Sequence, residues 1–293
     1  MLAQQLVNGL VLGATYALFA LGLTLMFGVL RVINLTYGFY FSVGALVALW
    51  LARTAGLPIW AVVLLGGVAA GLVAVVVDGV LLTRLRRTKA GELPSLMVTL
   101  GAVLALYSLS AIWLGTEIQR FPFDFVDSSA FEIGDLRISL VQILIVCVTF
   151  ALVGLLFVLL HYTRVGLMIR ALAENEDTAR LMGINVDAIV IVVSFVSGFL
   201  GGVGGVLIGL NFNAIQPFMG ETMMLRGFAV IIIGGLGDIR GALIAGVLLG
   251  MFEVLTASYI SSSAKEAVAF GALVLTLWFR PTGLFGRKEV KRA

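Results

Sequence analysis

The sequence predicts an all-α polytopic membrane protein, a glycine-rich bundle of about nine transmembrane helices, with eight to ten compatible with the pattern. Of its 293 residues, 61% are hydrophobic and only 12% are charged, and the mean hydropathy is +1.13. Soluble domains carry about 25% charged residues. So much apolar surface needs lipid as its solvent.

The second observation is the recurrence of apolar runs that approach the ~20 residues needed to cross ~30 Å of hydrocarbon. Two of them, 38–52 and 222–236, are short, and this leaves the count open. The predicted spans are 6–29, 38–52, 58–82, 93–115, 139–161, 187–210, 222–236, 242–260 and 265–280.

The third observation is the distribution of basic residues, which predicts an external N-terminus and a cytoplasmic C-terminus. The segment "TRLRRTKAGE" at 83–92 and the tail "GRKEVKRA" at 286–293 are both basic. Cytoplasmic loops of membrane proteins are enriched in Lys and Arg. No linker divides the chain, so we predict one domain over 1–293, with an external acidic loop at 116–139 and a cytoplasmic loop at about 162–187.

Glycine spacing predicts close contact between helices. The segment "SGFLGGVGGVLIG" at 197–209 is a glycine cluster, and glycines four residues apart recur at Gly9/Gly13 and Gly246/Gly250. Small residues at this spacing let helix backbones approach each other in lipid. Tight packing is favoured over a moving or pore-lining helix.

The composition excludes several chemistries. The single Cys147 and single His161 allow neither an internal disulfide nor a Cys/His zinc site, and we expect no metal site and no nucleic-acid partner. No lysine follows a glycine, so the chain lacks a Walker A phosphate loop and binds no cofactor of its own. Any nucleotide-driven work must come from a partner.

The cytoplasmic loop predicts a short helix that lies off the membrane. Asn175 can cap its start, Glu176 and Arg180 are spaced for an i,i+4 ion pair, and Gly183 can end it. Two interpretations stay open. The helix is either a connector docked on its own bundle or a coupling helix that fits a groove on a separate motor subunit.

Polar residues late in the chain suggest other roles. The glycine-rich segment 234–241 predicts a tight cytoplasmic turn rather than a phosphate loop. Glu253 lies within an apolar run, where a lone carboxylate is costly, so it should face the bundle interior, paired or protonated. Either a functional or a structural role fits it. Arg226 and Glu221 lie closer to the outer face and could pair across one helical turn or reach an external protein partner.

The stretch "RVINLTYGFYFSVGALV" at 31–47 interrupts the apolar pattern with Asn34, Thr36, Tyr37 and Gly38. Irregular backbone at membrane depth occurs where protein or a water-filled path covers it. A broken segment that lines a translocation path or gate is favoured over a plain cytoplasmic turn.

Four segments, in order along the chain, resemble the bacterial ABC importer permeases for branched-chain amino acids, and most of all the high-affinity type. "ALAENEDTARLMGIN" at 171–185 fits the family pattern A-x-A-[ED]-x4-A-x-[LM]-[LM]-G-I-N. "NGLVLGATYALFALGLTLMFGVLRVIN" resembles the first helix of the family, "GGLGDIRGALIAGVLLGMFE" its late glycine-rich loop, and "RPTGLFGR" its C-terminal signature.

The resemblance implies a non-enzymatic transport subunit in the bacterial inner membrane that works by alternating access. Its partners would be a second homologous permease, two ATP-binding subunits that hold ATP and Mg, a periplasmic or extracytoplasmic solute-binding protein and the lipid bilayer. Branched-chain amino acids are the implied solute, and urea, short amides or aromatic acids are alternatives. From other classes, the alternatives are an autonomous channel or proton-coupled carrier that uses Glu253 and, more remotely, a membrane enzyme.

The resemblance also assigns roles to residues. Where the family usually has I-N-[FL]-[AS]-H-G, this chain has Thr36 at the alanine or serine position and Tyr37 in place of histidine. The position of polar residues within apolar sequence, and not the resemblance, gives the path or gate role to Asn34, Thr36, Tyr37, Gly38 and Glu253. The ATPase-coupling role falls on Arg170, Ala171, Ala173, Glu174, Ala179, Arg180, Met182, Gly183 and Ile184.

Overall fold

The computed structural model describes residues 2–30, 34–87, 91–122, 125, 130–133, 136–280 and 282–286. Arg31, Lys89 and the basic tail from 287 onward, on which the predicted orientation partly rests, lie outside these ranges. The described helices are α1 (Leu2–Leu30), α2 (Tyr37–Thr54), α3 (Ile59–Arg87), α4 (Glu92–Leu114), α5 (Leu140–Tyr162), α6 (Arg164–Glu174), α7 (Glu176–Leu181), α8 (Val186–Phe212), α9 (Met219–Gly234), α10 (Ile239–Tyr259) and α11 (Ala264–Phe279).

Each predicted apolar run coincides with one of these helices, but the helices differ in their ability to cross a membrane. Within the described residues, six are long and apolar enough, namely α1, α3, α4, α5, α8 and α10. Helices α9 and α11 have 16 residues each, which corresponds to about 24 Å at ~1.5 Å per residue. A multi-pass helical protein is therefore confirmed, whereas nine spans and their orientation stay predictions.

The connection between α4 and α5 corrects the all-α prediction. It contains an antiparallel hairpin of β1 (Ala130–Ile133) and β2 (Leu136–Ser139), in which Ala130 pairs with Ser139. The sequence signal is the alternation of apolar and polar residues in "FEI" and "LRI" on either side of Gly-Asp, a pair typical of hairpin turns. The side chain of Gln4 on α1 anchors β2, since its Nε2 donates to the Arg137 carbonyl at 2.9 Å.

Helix α1 forms the centre of the bundle. Every residue from 13 to 26 is buried, mainly against α10 and α8. On the α10 side, Gly9 faces Met251 and Gly13 faces Val247, so the glycines at spacing four mark the contact between these helices. The 197–209 cluster of α8 packs against α2 and α3. These contacts agree with the tight-packing interpretation of the glycines.

The α1–α10 contact leads to a stability prediction. A Cβ added at Gly13 would lie 2.7 Å from Val247 Cα, which belongs to backbone that cannot easily move aside. We expect Gly13→Ala to lower the free energy of unfolding by about 1–3 kcal/mol. Thermal unfolding of the detergent-purified chain, followed by intrinsic fluorescence, measures this.

The matched control is Gly154→Ala in α5, where an added Cβ meets nothing within 4 Å. Because alanine favours a helix over glycine by up to ~1 kcal/mol, this variant should be neutral or more stable. A loss of stability in Gly154→Ala equal to that in Gly13→Ala would contradict the close-approach account.

Candidate functional site

At the break between α1 and α2, side-chain hydrogen bonds add to the backbone bond from the Tyr37 N–H to the Asn34 carbonyl. Asn34 and Thr36 are almost completely buried. The Thr36 backbone N–H donates to Asn34 Oδ1 at 3.0 Å, which is the local bond of an Asx turn. Helix α2 then starts at Tyr37. The Asn34 side chain thus provides the acceptor for a buried backbone N–H in the break.

A carboxylate that the sequence analysis missed completes this arrangement. Asp78 of α3 is 1% exposed, and its Oδ1 accepts hydrogen bonds from Asn34 Nδ2 at 2.7 Å and from the Tyr40 hydroxyl at 2.6 Å. Ser194 of α8 lies near Asp78 without a well-aligned hydrogen bond. We call Asn34, Thr36, Tyr40 and Asp78 the buried polar cluster. The signal for it was an acidic residue within the apolar run at 58–82, the same kind of signal that singled out Glu253.

Tyr37 and Gly38 lie beside this cluster in a tightly packed interior. The Tyr37 hydroxyl donates to the Phe19 carbonyl at 3.0 Å. A Cβ added at Gly38 would lie 2.8 Å from the Gly220 carbonyl oxygen on α9. Neither residue lines the two cavities described below. The tyrosine that replaces the family's usual histidine therefore binds α1 in this conformation.

The difference between the two tyrosines can be tested. We expect Tyr40→Phe to destabilise the chain by ~1.5–3 kcal/mol, because it removes a donor to a buried carboxylate. Tyr37→Phe, the matched control, removes a donor to a neutral carbonyl and should cost only ~0.5–1.5 kcal/mol. Thermal unfolding of the two variants side by side measures the difference, and an equal or larger loss for Tyr37→Phe would contradict the stronger hydrogen bond from Tyr40 to the Asp78 carboxylate.

Glu253 faces the bundle interior, as predicted, and is only 2% exposed. Its Oε2 accepts a hydrogen bond from the Tyr16 hydroxyl of α1 at 2.6 Å, and its Oε1 lies 3.5 Å from Arg226 Nε of α9. The guanidinium also lies over the Tyr16 ring, with Cζ 5.6 Å from the centroid. The structure thus pairs Arg226 with Glu253, not with Glu221 as the sequence alternative had it.

Between α5 and α8, the predicted short helix is present as α7. Asn175 Oδ1 accepts from the Thr178 backbone N–H at 2.9 Å, and Glu176 and Arg180 form an ion pair at 2.7 Å. This hydrogen bond raises the pKa of the Arg180 guanidinium above its ordinary value. Gly183 ends the helix at φ +81°, a left-handed conformation that glycine adopts without strain. These local predictions are confirmed.

The residues assigned to ATPase coupling divide into two faces. Ala179 is buried against the bundle, and Ala171, Ala173 and Ile184 are partly buried. The others lie on the exposed face, namely Arg170, Glu174, Arg180, Met182 and Gly183. Leu181, which the resemblance did not single out, is 87% exposed, and Met182 is 79% exposed. Two adjacent apolar side chains therefore project from the end of α7.

A cavity of about 810 Å³ opens next to α6. Arg170 and Ala173 of α6 line it together with the last turns of α1, α5, α9 and α11 and the first residues of α10. A second cavity of about 220 Å³ lies among the opposite ends of α9, α10 and α11, and Arg226 and Glu253 line it. The two cavities thus lie at opposite ends of the same three helices.

The glycine-rich segment between α9 and α10 forms the predicted turn. Gly235 and Gly237 have φ values of 110° and 83°, and Asp238 caps α10 by accepting from the Gly241 N–H at 2.8 Å. The C-terminal signature packs onto this turn, since the Leu284 N–H donates to the Ile233 carbonyl at 2.8 Å. Two segments that resembled the family separately are therefore one structural unit next to the larger cavity.

Among the residues that the structure describes, no group of three or more His, Cys, Asp or Glu side chains could hold a metal ion. What the fold offers instead is a bundle of apolar helices, two buried carboxylates, two end cavities and an exposed capped helix. These features are typical of a multi-pass helical membrane protein.

Residues 5–277 match the family model described as the permease component of the branched-chain amino acid transport system, and the chain belongs to this family. It is 33% identical to the high-affinity branched-chain amino acid transport system permease protein BraD of Pseudomonas aeruginosa, with 99% of this chain and 97% of the relative aligned. Identity to the corresponding protein LivH of Escherichia coli K12 is 31%, with the same coverage. The ribose import permease protein RbsC of E. coli K12 is 33% identical over 40% of each chain. No solved structure matches the chain.

Proposed function

We propose that this chain is the permease subunit of an ATP-binding-cassette importer that carries branched-chain amino acids across the bacterial inner membrane. The observation that carries the proposal is the near full-length similarity to permeases named for that transport. In this proposal the whole chain is one permease domain that pairs with a second, homologous permease. Two ATPase subunits bind ATP and Mg, and an extracytoplasmic binding protein supplies the solute.

The exposed end of α7 supports a docking role toward the ATPases. A helix tip that carries Leu181 and Met182 in the open, stabilised by its own cap and its own ion pair, is suited to insert into a groove of another protein. The i,i+4 pair between Glu176 and Arg180 keeps the helix formed before it binds. The connector interpretation leaves the exposure of these two apolar side chains unexplained.

The contacts of α6 suggest how movement at α7 would reach the solute path. Helix α6 packs on α5, α1 and α8, and its residues Arg170 and Ala173 line the 810 Å³ cavity. On α9, Ala229 lines the smaller cavity and Ile232 the larger one. Three residues correspond to about 4.5 Å along a helix. In this proposal a small displacement of α6 against α1 and α5 reaches α9 through the contact between α1 and α9, and it changes which cavity is open, which is alternating access.

The buried polar cluster would act in this cycle as a fixed joint. Its hydrogen bonds connect the break before α2 to α3, so α1 can tilt there without unfolding α2. In this proposal Asn34, Thr36, Tyr37 and Gly38 support the gate from within the packed interior instead of lining an open path.

The docking role leads to a direct test. We expect Met182→Glu to weaken the co-purification of the ATPase subunits with the permease by about tenfold or more, since it places a charge in an apolar contact. Quantitative affinity purification of the tagged permease complex measures the ATPase recovered per permease.

The matched control is Ile118→Glu, which changes a residue that is 61% exposed between α4 and the hairpin, at the end of the bundle away from α7. ATPase recovery with Ile118→Glu should equal that of the wild type. If Met182→Glu also retained full ATPase recovery and full ATP-dependent transport, the docking role of α7 would be wrong.

A further inference from the structure

The smaller cavity, between α9, α10 and α11, combines charges of both signs in an interior that is otherwise apolar. Arg226 of α9, Glu253 of α10 and Glu266 of α11 line it, and Ala229, Ala269 and Phe270 supply an apolar wall. Its volume of about 220 Å³ holds about seven water molecules at ~30 Å³ each. This is room for one small solute and far too little for a nucleotide.

The buried carboxylate of this cavity, Glu253, is incompletely compensated by hydrogen bonds. Among the residues that the structure describes, the buried Glu253 Oε1 has no hydrogen-bond partner, and its ion-pair partner, Arg226 Nε, is 3.5 Å away. Buried carboxylate oxygens are normally hydrogen-bonded. A ligand that brings a cationic N–H donor into the cavity would satisfy this oxygen.

Arg226 also has N–H donors that could bind a ligand. A guanidinium carries five N–H groups in a planar fork that matches a carboxylate in a bidentate arrangement. Glu253 lies on the Nε side of Arg226, and the ring of Tyr16 lies against its face. The side chain is 22% exposed and lines the cavity, so a solute in the cavity would contact it.

The mouth of the cavity is polar. Glu266 is exposed in the first turn of α11 and lines the cavity. An exposed carboxylate is too costly in the hydrocarbon region, so the mouth must open to water or to another protein. The predicted topology places this end of α11 outside, where a binding protein would deliver the solute.

We propose that this cavity is a binding subsite for a zwitterionic amino acid with an aliphatic side chain. The ligand's carboxylate binds the guanidinium of Arg226, and its ammonium group binds Glu253 Oε1 and the Glu266 carboxylate. Ala229, Ala269 and Phe270 contact its apolar side chain. The identity of the solute in this subsite rests on the proposed function. The roles of Arg226 and Glu266 are new, because the family resemblance did not assign them.

The test uses the complete permease–ATPase complex in lipid nanodiscs without binding protein, with labelled L-leucine as the probe. We expect Arg226→Lys, which keeps the charge beside Glu253 but loses the fork, and Glu266→Gln to weaken leucine binding by about tenfold or more. Glu221→Gln is the matched control, because Glu221 is an exposed glutamate in the first turn of α9 that does not line the cavity. Its leucine affinity should equal that of the wild type.

Ligand chemistry separates recognition from folding. In the wild type, 4-methyl-2-oxopentanoate, which lacks the ammonium group, and 3-methylbutylamine, which lacks the carboxylate, should compete with leucine at least about tenfold more weakly. In Glu266→Gln the difference in affinity between leucine and 4-methyl-2-oxopentanoate should be smaller than in the wild type. The variant lacks the negative charge that binds the ammonium group of leucine, and the oxo acid has no ammonium group to lose that contact. A merely destabilised protein would lose all ligands alike.

The subsite is wrong if the wild-type complex binds leucine and both cavity variants bind it as tightly as Glu221→Gln does. It is also wrong if the wild-type complex imports leucine from the binding protein but retains none by itself. The proposed function fails separately, by the absence of ATP-dependent leucine import in the wild type.

Discussion

The structure depends on the need to give two buried carboxylates hydrogen-bonding or charged partners inside a bundle of apolar helices. An unpaired acidic residue at the centre of a membrane helix costs at least ~2.5 kcal/mol. Asp78 meets this need through Asn34 and Tyr40, and Glu253 through Tyr16 and Arg226. Each carboxylate thus connects helices that are distant in sequence. One joins α3 to the break before α2, and the other joins α10 to α1 and α9.

Glycine makes these connections possible because it lets the helices approach closely. The contacts of Gly13 with α10 and of the 197–209 cluster with α2 and α3 bring α1, α2, α3, α8 and α10 into one dense core. The cavities lie outside this core, at the two ends of α9, α10 and α11. The densely packed core is thus distinct from the helix ends where a solute could pass. Helices α6 and α7 contact this core next to the larger cavity.

The sequence predicted the helices and the α7 caps because these depend on local patterns. Apolar runs, the Asn175 cap, the Glu176–Arg180 spacing and the Gly183 stop act within a few residues of one another. Asp78 was missed and Arg226 was not matched with Glu253 because their partners lie on other helices, with Asn34 being 44 residues from Asp78. The hairpin was missed because its two four-residue strands are short. The family resemblance located the break at Asn34. It could not predict that Asn34 is buried and hydrogen-bonded to Asp78.

The central claim is that this chain moves its solute only when partner ATPases drive it. The most direct measurement is the uptake of labelled L-leucine into proteoliposomes that contain the chain, its partner permease and the ATPase subunits, supplied with the binding protein. The account predicts uptake that requires internal ATP and disappears when the ATPases are omitted. Uptake that persists without ATPases, driven by a proton gradient and abolished by Glu253→Gln, would contradict it and would show an autonomous carrier.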